Sequence, residues 1–198
     1  TVGGSFSLTG GTFDLSSSNV AGNASTVYVA GDFTHTGGTL TETGSTTGSS
    51  VTFNGSGAMQ LYTSGGTVSN IVNFNISSPA YVQMGTGGTV SAITGAGTFT
   101  IASGATLGVT SPDGITTVGT ATGNILSTVA RNYSTGANYI YNGTVSQATG
   151  SGFSANNPGN VTIDNTGSAG NNIVTLSATK AMSGNLTVNN GVFDLATF

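Results

Sequence analysis

Few residues in this chain are able to do chemistry. His35 is the single histidine, Arg131 and Lys180 are the two cations, and the acids are Asp14, Asp32, Glu42, Asp113, Asp164 and Asp194. A hydrolytic triad needs Ser and Asp around His35, with the nucleophile on a Gly-x-Ser-x-Gly elbow between a strand and a helix. No such elbow has that context, and Gly55-Ser56-Gly57 and Gly150-Ser151-Gly152 read as turns. His35 stands where other copies of a short repeat carry polar neighbours such as Thr9, which makes it a strand-face residue. A calcium loop would bring several oxygens together as Asp-x-Asp-x-Asp-Gly, and this sequence has none. Asp113-Gly114 is a turn, while Asp14 and Asp194 share one repeat position inside Phe-Asp-Leu. A polysaccharide lyase or hydrolase needs clustered carboxylates or a base with a basic partner. Cysteine is absent, which removes disulfides, thiolate metal sites and thiol nucleophiles. The expectation is a non-enzyme with no catalytic residue, no cofactor and no metal ligand.

Binding chemistry offers more. Tyr133, Tyr139 and Tyr141 cluster beside Arg131, and aromatic faces next to a guanidinium stack on sugar rings. They are the candidate glycan contacts, although Tyr139 and Tyr141 also align with Val51 and Phe53, which favours inward positions. The pairs Thr34/Thr36, Thr39/Thr41/Thr43 and Thr98/Thr100 would present hydroxyl arrays, but not at one fixed repeat position. Asn-x-Ser/Thr acceptors occur at Asn23, Asn54, Asn75, Asn132, Asn142, Asn160 and Asn185, and in a chain of this composition they read first as turns and Asn ladders. Two cations cannot neutralise a phosphate backbone, so nucleic acid is excluded as a partner. No apolar run approaches the ~20 residues that cross a bilayer, so membrane insertion by a helix is not expected.

The elements that must carry these residues follow from composition and period. Of 198 residues, 4% are charged and the net charge is −4, against about 25% charged in ordinary domains. Gly (33), Thr (35), Ser (25) and Asn (19) fill more than half the chain, and helix formers are scarce. Ser5–Leu8, Val27–Val29, Val51–Phe53, Thr98–Ile101, Val161–Ile163 and Leu186–Val188 alternate apolar and polar residues, the period of a strand with one buried face. Gly-Gly, Asn-Gly, Ser-Gly and Asp-Gly pairs separate them as turns.

Self-similarity is stronger than alternation. Gly4-Ser5-Phe6-Ser7-Leu8-Thr9-Gly10-Gly11-Thr12-Phe13 aligns with Gly31-Asp32-Phe33-Thr34-His35-Thr36-Gly37-Gly38-Thr39-Leu40, and again with the stretch that opens at Gly184. A longer repeat relates Val51-Thr52-Phe53-Asn54-Gly55 to Tyr139-Ile140-Tyr141-Asn142-Gly143 at an offset of 88, Val72 to Val161 at 89, and Phe99 to Leu186 at 87. Units this short cannot bury an apolar face alone and must stack. The fold expected is therefore all-β, a repetitive parallel β-helix or β-solenoid, with tandem β-sandwich modules as the alternative. Repeats of about 22–29 residues give roughly seven to nine coils. Phe6, Phe33, Phe99 and Leu186 are the expected interior ladder. The divisions are N-terminal coils over 1–50, module A over 51–112, a connecting coil over 113–138 and module B over 139–198, in one continuous solenoid.

Val27-Tyr28-Val29-Ala30-Gly31-Asp32-Phe33-Thr34, Val51-Thr52-Phe53-Asn54-Gly55-Ser56-Gly57-Ala58 and Gly184-Asn185-Leu186-Thr187-Val188-Asn189-Asn190-Gly191-Val192-Phe193-Asp194-Leu195 resemble the repeats of giant secreted surface adhesins of Bacteroidota-type bacteria. They are also similar to β-helical adhesins of the haemagglutinin type. The resemblance implies an exported, extracellular cell-surface or filamentous protein with a parallel β-helix, and it carries over no catalytic residues. The expected function is structural, a filament, stalk or adhesin built by coil stacking and head-to-tail association with other copies of itself. The alternative is a β-helix that binds surface glycans.

Overall fold

The computed structural model describes residues 1–17, 23–86, 88–155 and 157–198. The chain folds as a β-solenoid of about seven turns, 42% strand and 1% helix. Among the described residues every strand pairing is parallel, which distinguishes it from tandem antiparallel sandwiches.

One long sheet runs the length of the molecule. Its rungs are Phe6–Asp14, Phe33–Thr41, Met59–Ser64, Tyr81–Met84, Thr106–Val109, Asn138–Tyr141, Val161–Asp164 and Leu186–Asn190. A second sheet stacks Thr26–Val29, Ser49–Phe53, Val72–Ile76, Thr98–Ile101 and Ala130–Tyr133. The third face carries the later halves of the first two long strands, then Thr67–Val68, then the bridge Ile93↔Ile125. It ends in a small sheet of Gln147–Ala148, Ile173–Thr175 and Val192–Asp194. Coil length varies by insertion at corners: Tyr62 pairs with Met84, 22 residues on, and Leu107 with Tyr139, 32 residues on.

Alternation places one side of each strand inside. Phe6, Phe33 and Tyr62 pair in one column of the long sheet. Their rings stack at 4.7 and 5.5 Å with interplanar angles of 14° and 3°. Phe53 and Phe74 meet Phe33 from the second sheet at 78° and 86°, the edge-to-face contact that aromatic quadrupoles favour.

The expected ladder of Phe6, Phe33, Phe99 and Leu186 is not one column. Phe6 and Phe33 share a column, and Phe33 is 1% exposed. Phe99 lies in the second sheet between Phe74 and Arg131. Leu186 is in the long sheet, in the column of Tyr139 and Val161, and 40% exposed on the last rung. Both sheets use the same Gly-polar-apolar lead-in, so sequence similarity does not report which face a strand joins.

The long repeat has a structural meaning of its own. Val51, Phe74 and Phe99 occupy successive rungs of one column of the second sheet. Tyr139 and Leu186, the counterparts of Val51 and Phe99, stand in one column of the long sheet on either side of Val161, the counterpart of Val72. In the next strand, Gln60 belongs to the long sheet and its counterpart Gln147 to the third face. An offset of 87–89 residues therefore advances the chain by three turns and one additional face. Within 113–138 lie the last rung of the second sheet, Ala130–Tyr133, and the widest turn of the solenoid.

Uncharged polar residues connect the coils. Ser5 Oγ accepts the Asp32 N–H, and Asp32 Oδ1 accepts the Leu61 N–H. Further along, Asn138 Oδ1 accepts from Asn160 N and Asn160 Oδ1 from Asn185 N, at 2.8 and 2.9 Å. The residue that opens each of these long-sheet strands thus accepts a backbone donor of the coil that follows.

Candidate functional site

The corners and the outer faces, rather than a pocket, carry the polar groups. Arg131 is in register with Phe99, so its stem starts at an apolar position where the second sheet ends. The guanidinium is taken up by the wide turn. Nε donates to Ser127 O at 2.9 Å, Nη1 to Thr116 Oγ1 at 2.7 Å and Thr117 O at 2.9 Å, and Nη2 to Thr120 O at 3.0 Å. Five donors in a fixed fork suit such a set of carbonyls. A cleft of about 300 Å³ beside it is lined by Gly119, Thr120, Ala121, Leu126, Thr128 and Arg131. Asn124 pins the base of the same turn, its Oδ1 accepting from Thr110 N and Ser111 N and its Nδ2 donating to Ser91 O. Arg131 is therefore a staple for the turn.

The three tyrosines expected to meet glycans are interior. Tyr133 and Tyr139 are 2% exposed and Tyr141 is fully buried. The Tyr133 hydroxyl donates to Thr116 O and that of Tyr141 to Thr149 O, both at 2.9 Å. Tyr139 and Tyr141 pack on Phe153 at 5.9 and 6.0 Å. Burial raises all three phenol pKa values well above the ordinary range. A ring enclosed this way offers no face to a sugar; the alignment with Val51 and Phe53 was the better guide to these positions.

The acids lie apart, and most are engaged with nearby backbone or side chains. Asp14 Oδ1 accepts from the N–H groups of Ser16 and Thr43. Glu42 is buried: Oε1 accepts from Gly44 N and Ser45 N, both at 2.6 Å, and Oε2 accepts the Ser49 hydroxyl. Asp164 meets the Asn190 amide, Asp194 accepts from Ala196 N, and Lys180 donates to Ser154 O. Among the described residues, no three His, Cys, Asp or Glu side chains come together as a metal set. His35 is 1% exposed, and among the described residues its Nε2 has no partner.

Sequence reasoning missed the two corner glutamines. After Asn54-Gly55 the chain turns from the second sheet into the long sheet. Gln60 Oε1 accepts the Gly55 N–H at 2.9 Å, while Nε2 donates to Val29 O and Gly31 O of the preceding coil. After Asn142-Gly143 the chain turns from the long sheet to the third face. There Gln147 Oε1 accepts the Gly143 N–H at 2.9 Å and Nε2 donates to Val109 O and Ser111 O. The signal available was an Asn-Gly followed four or five residues after its Gly by the Gln, set inside the long repeat.

No family model, curated protein or solved structure matches this chain.

The outer side of the second sheet is the regular surface that remains. Thr26, Ser50, Asn73 and Thr98 form one column there, and Tyr28, Thr52, Asn75, Thr100 and Asn132 the next. Their side chains bond along the columns, Thr26 with Ser50 at 2.9 Å and Asn75 Nδ2 to Thr52 Oγ1 at 3.3 Å. The face is uncharged throughout.

Proposed function

We propose that this chain is a non-catalytic structural segment of an extracellular protein on a bacterial surface, a filament, stalk or adhesin that extends by stacking coils against further copies of itself. The observation that carries the reading is the coil-to-coil bonding. Ser5, Asp32, Asn138 and Asn160 each hand a side-chain oxygen to the coil that follows. Low charge supports the same reading. Like residues stack about 4.8 Å apart in such a ladder, so ionised columns would repel one another along the rod.

Sedimentation and negative-stain microscopy over a range of protein concentrations test it. The expected result is concentration-dependent association into rods of the solenoid's width. A chain that stays monomeric at high concentration without fibres overturns the reading. If that monomer is retained by neutral glycans, the second reading holds: the flat, uncharged outer face of the second sheet would then be the binding surface.

A further inference from the structure

Three Asn-Gly pairs occur in the chain, Asn54-Gly55, Asn142-Gly143 and Asn190-Gly191, and the fold treats them differently. Asn-Gly is the dipeptide most open to spontaneous deamidation, because a glycine leaves the following nitrogen unhindered. In that reaction the backbone nitrogen of the glycine attacks the asparagine Cγ. The N–Cγ bond forms, the Cγ–Nδ2 bond breaks, the nitrogen's proton leaves and ammonia departs. Solvent water then opens the succinimide at either carbonyl to give aspartate or isoaspartate.

The attacking nitrogen is held at the first two pairs. Gly55 N–H is donated to Gln60 Oε1 and Gly143 N–H to Gln147 Oε1, both at 2.9 Å, and each glutamine is anchored by two carbonyls of the coil before it. Asn142 is fixed at its side chain as well. Its Nδ2 donates to Gln83 Oε1 at 2.6 Å, and its Oδ1 accepts from Gln83 Nε2 at 3.1 Å. Asn54 is exposed, so Gln60 is the restraint on that pair. At the third pair no side chain among the described residues accepts the Gly191 N–H. Asn190 is exposed and its amide makes one hydrogen bond, to Asp164 Oδ1, so what sets this pair apart from the other two is the unheld glycine nitrogen.

We infer that Asn190 is a modification site, deamidating in the native protein, and that Gln60 and Gln147 shield Asn54 and Asn142 from the same reaction. Conversion would set a new carboxylate against Asp164, where a hydrogen bond now joins the last two rungs of the long sheet. The isoaspartate product would also lengthen the backbone at the end of Leu186–Asn190. The modification would therefore weaken the attachment of that rung.

The test is peptide mass spectrometry of the 198-residue chain aged in mildly alkaline buffer, native and in urea. In the native sample Asn190 is expected to convert while Asn54 and Asn142 stay intact; in urea all three are expected to convert at similar rates. Gln60→Ala should speed conversion at Asn54 by about ten-fold, the factor that about 1.4 kcal/mol represents in a rate, and leave Asn142 unchanged. Asn142 in that same sample reports any general opening of the fold. Native conversion of Asn54 alongside Asn190, persistence of Asn190, or an equal rise at Asn54 and Asn142 in the Gln60→Ala chain overturns the inference.

Discussion

His35 illustrates how a reactive residue type acquires a purely structural environment. It sits on the second rung of the long sheet, in register with Leu8 below and Ser64 above. Gly66 makes room for the ring, since a Cβ there would lie 2.1 Å from Nε2. Burial holds the imidazole pKa below its usual 6.5, against a weaker opposing effect of a hydrogen bond with the Gly38 backbone. The unfolded chain then binds the proton more readily than the folded one, so stability falls as pH drops through 6.5 toward the lowered folded-state value. The urea midpoint is expected to decline from about pH 7.5 to about pH 5.5, and His35→Met should flatten that slope. An unchanged slope in the variant would place the titration elsewhere. Sequence alone identified His35 as a strand residue through its repeat neighbours. The alignment that sets His35 opposite Leu8 made an inward position legible; the room for its ring was not, because Gly66 lies in the next coil, 31 positions away.

At the level of elements, alternation and turn residues made the strands readable, while face and register were not. Strands of the second and long sheets share one apolar pattern, and the corner chemistry that turns the chain recurs at different edges, so neither reports which sheet a strand joins. Gln60, Gln147 and the Asn124 clamp supply that chemistry. Each corner glutamine ties its glycine to carbonyls about thirty or more residues back, at separations no local pattern reveals. The expected sugar contacts failed at this level too, since Tyr133, Tyr139 and Tyr141 fill the interior. Gly108 shows how a missing side chain organises three coils. A Cβ there would lie 2.0 Å from Gln83 Oε1, and the space it leaves lets Gln83 reach Asn142 across the intervening coil. Gly108→Ala should therefore cost about 1–3 kcal/mol by urea denaturation. Combined with Gln83→Ala, which removes the obstructed group, the loss should be less than additive. Strict additivity would mean the two positions are uncoupled.

For the whole molecule, stability is distributed as it is in a stack: each coil is held by its neighbours, and a coil with one neighbour is held least. Leu186–Asn190 is exposed at every position, whereas Val72–Ile76 is buried at alternate positions between two rungs. Hydrogen exchange should be faster in Leu186–Asn190 and Val192–Asp194 than in Val72–Ile76 or Phe33–Thr41. Uniform protection along the rod would instead indicate a single cooperative unit. The solenoid itself was legible because the repeats are similar enough to align. The angular relation between the long repeats was not, because an offset in residues does not state how many faces it turns. That relation bears on recognition. The Asn-Gly-Gln corner recurs three turns along, about 15 Å at the spacing of parallel strands, and on a different edge of the rod. A partner reading both corners would have to wind around the shaft in the manner of a screw thread, whereas a straight partner laid along one side would meet only one of them.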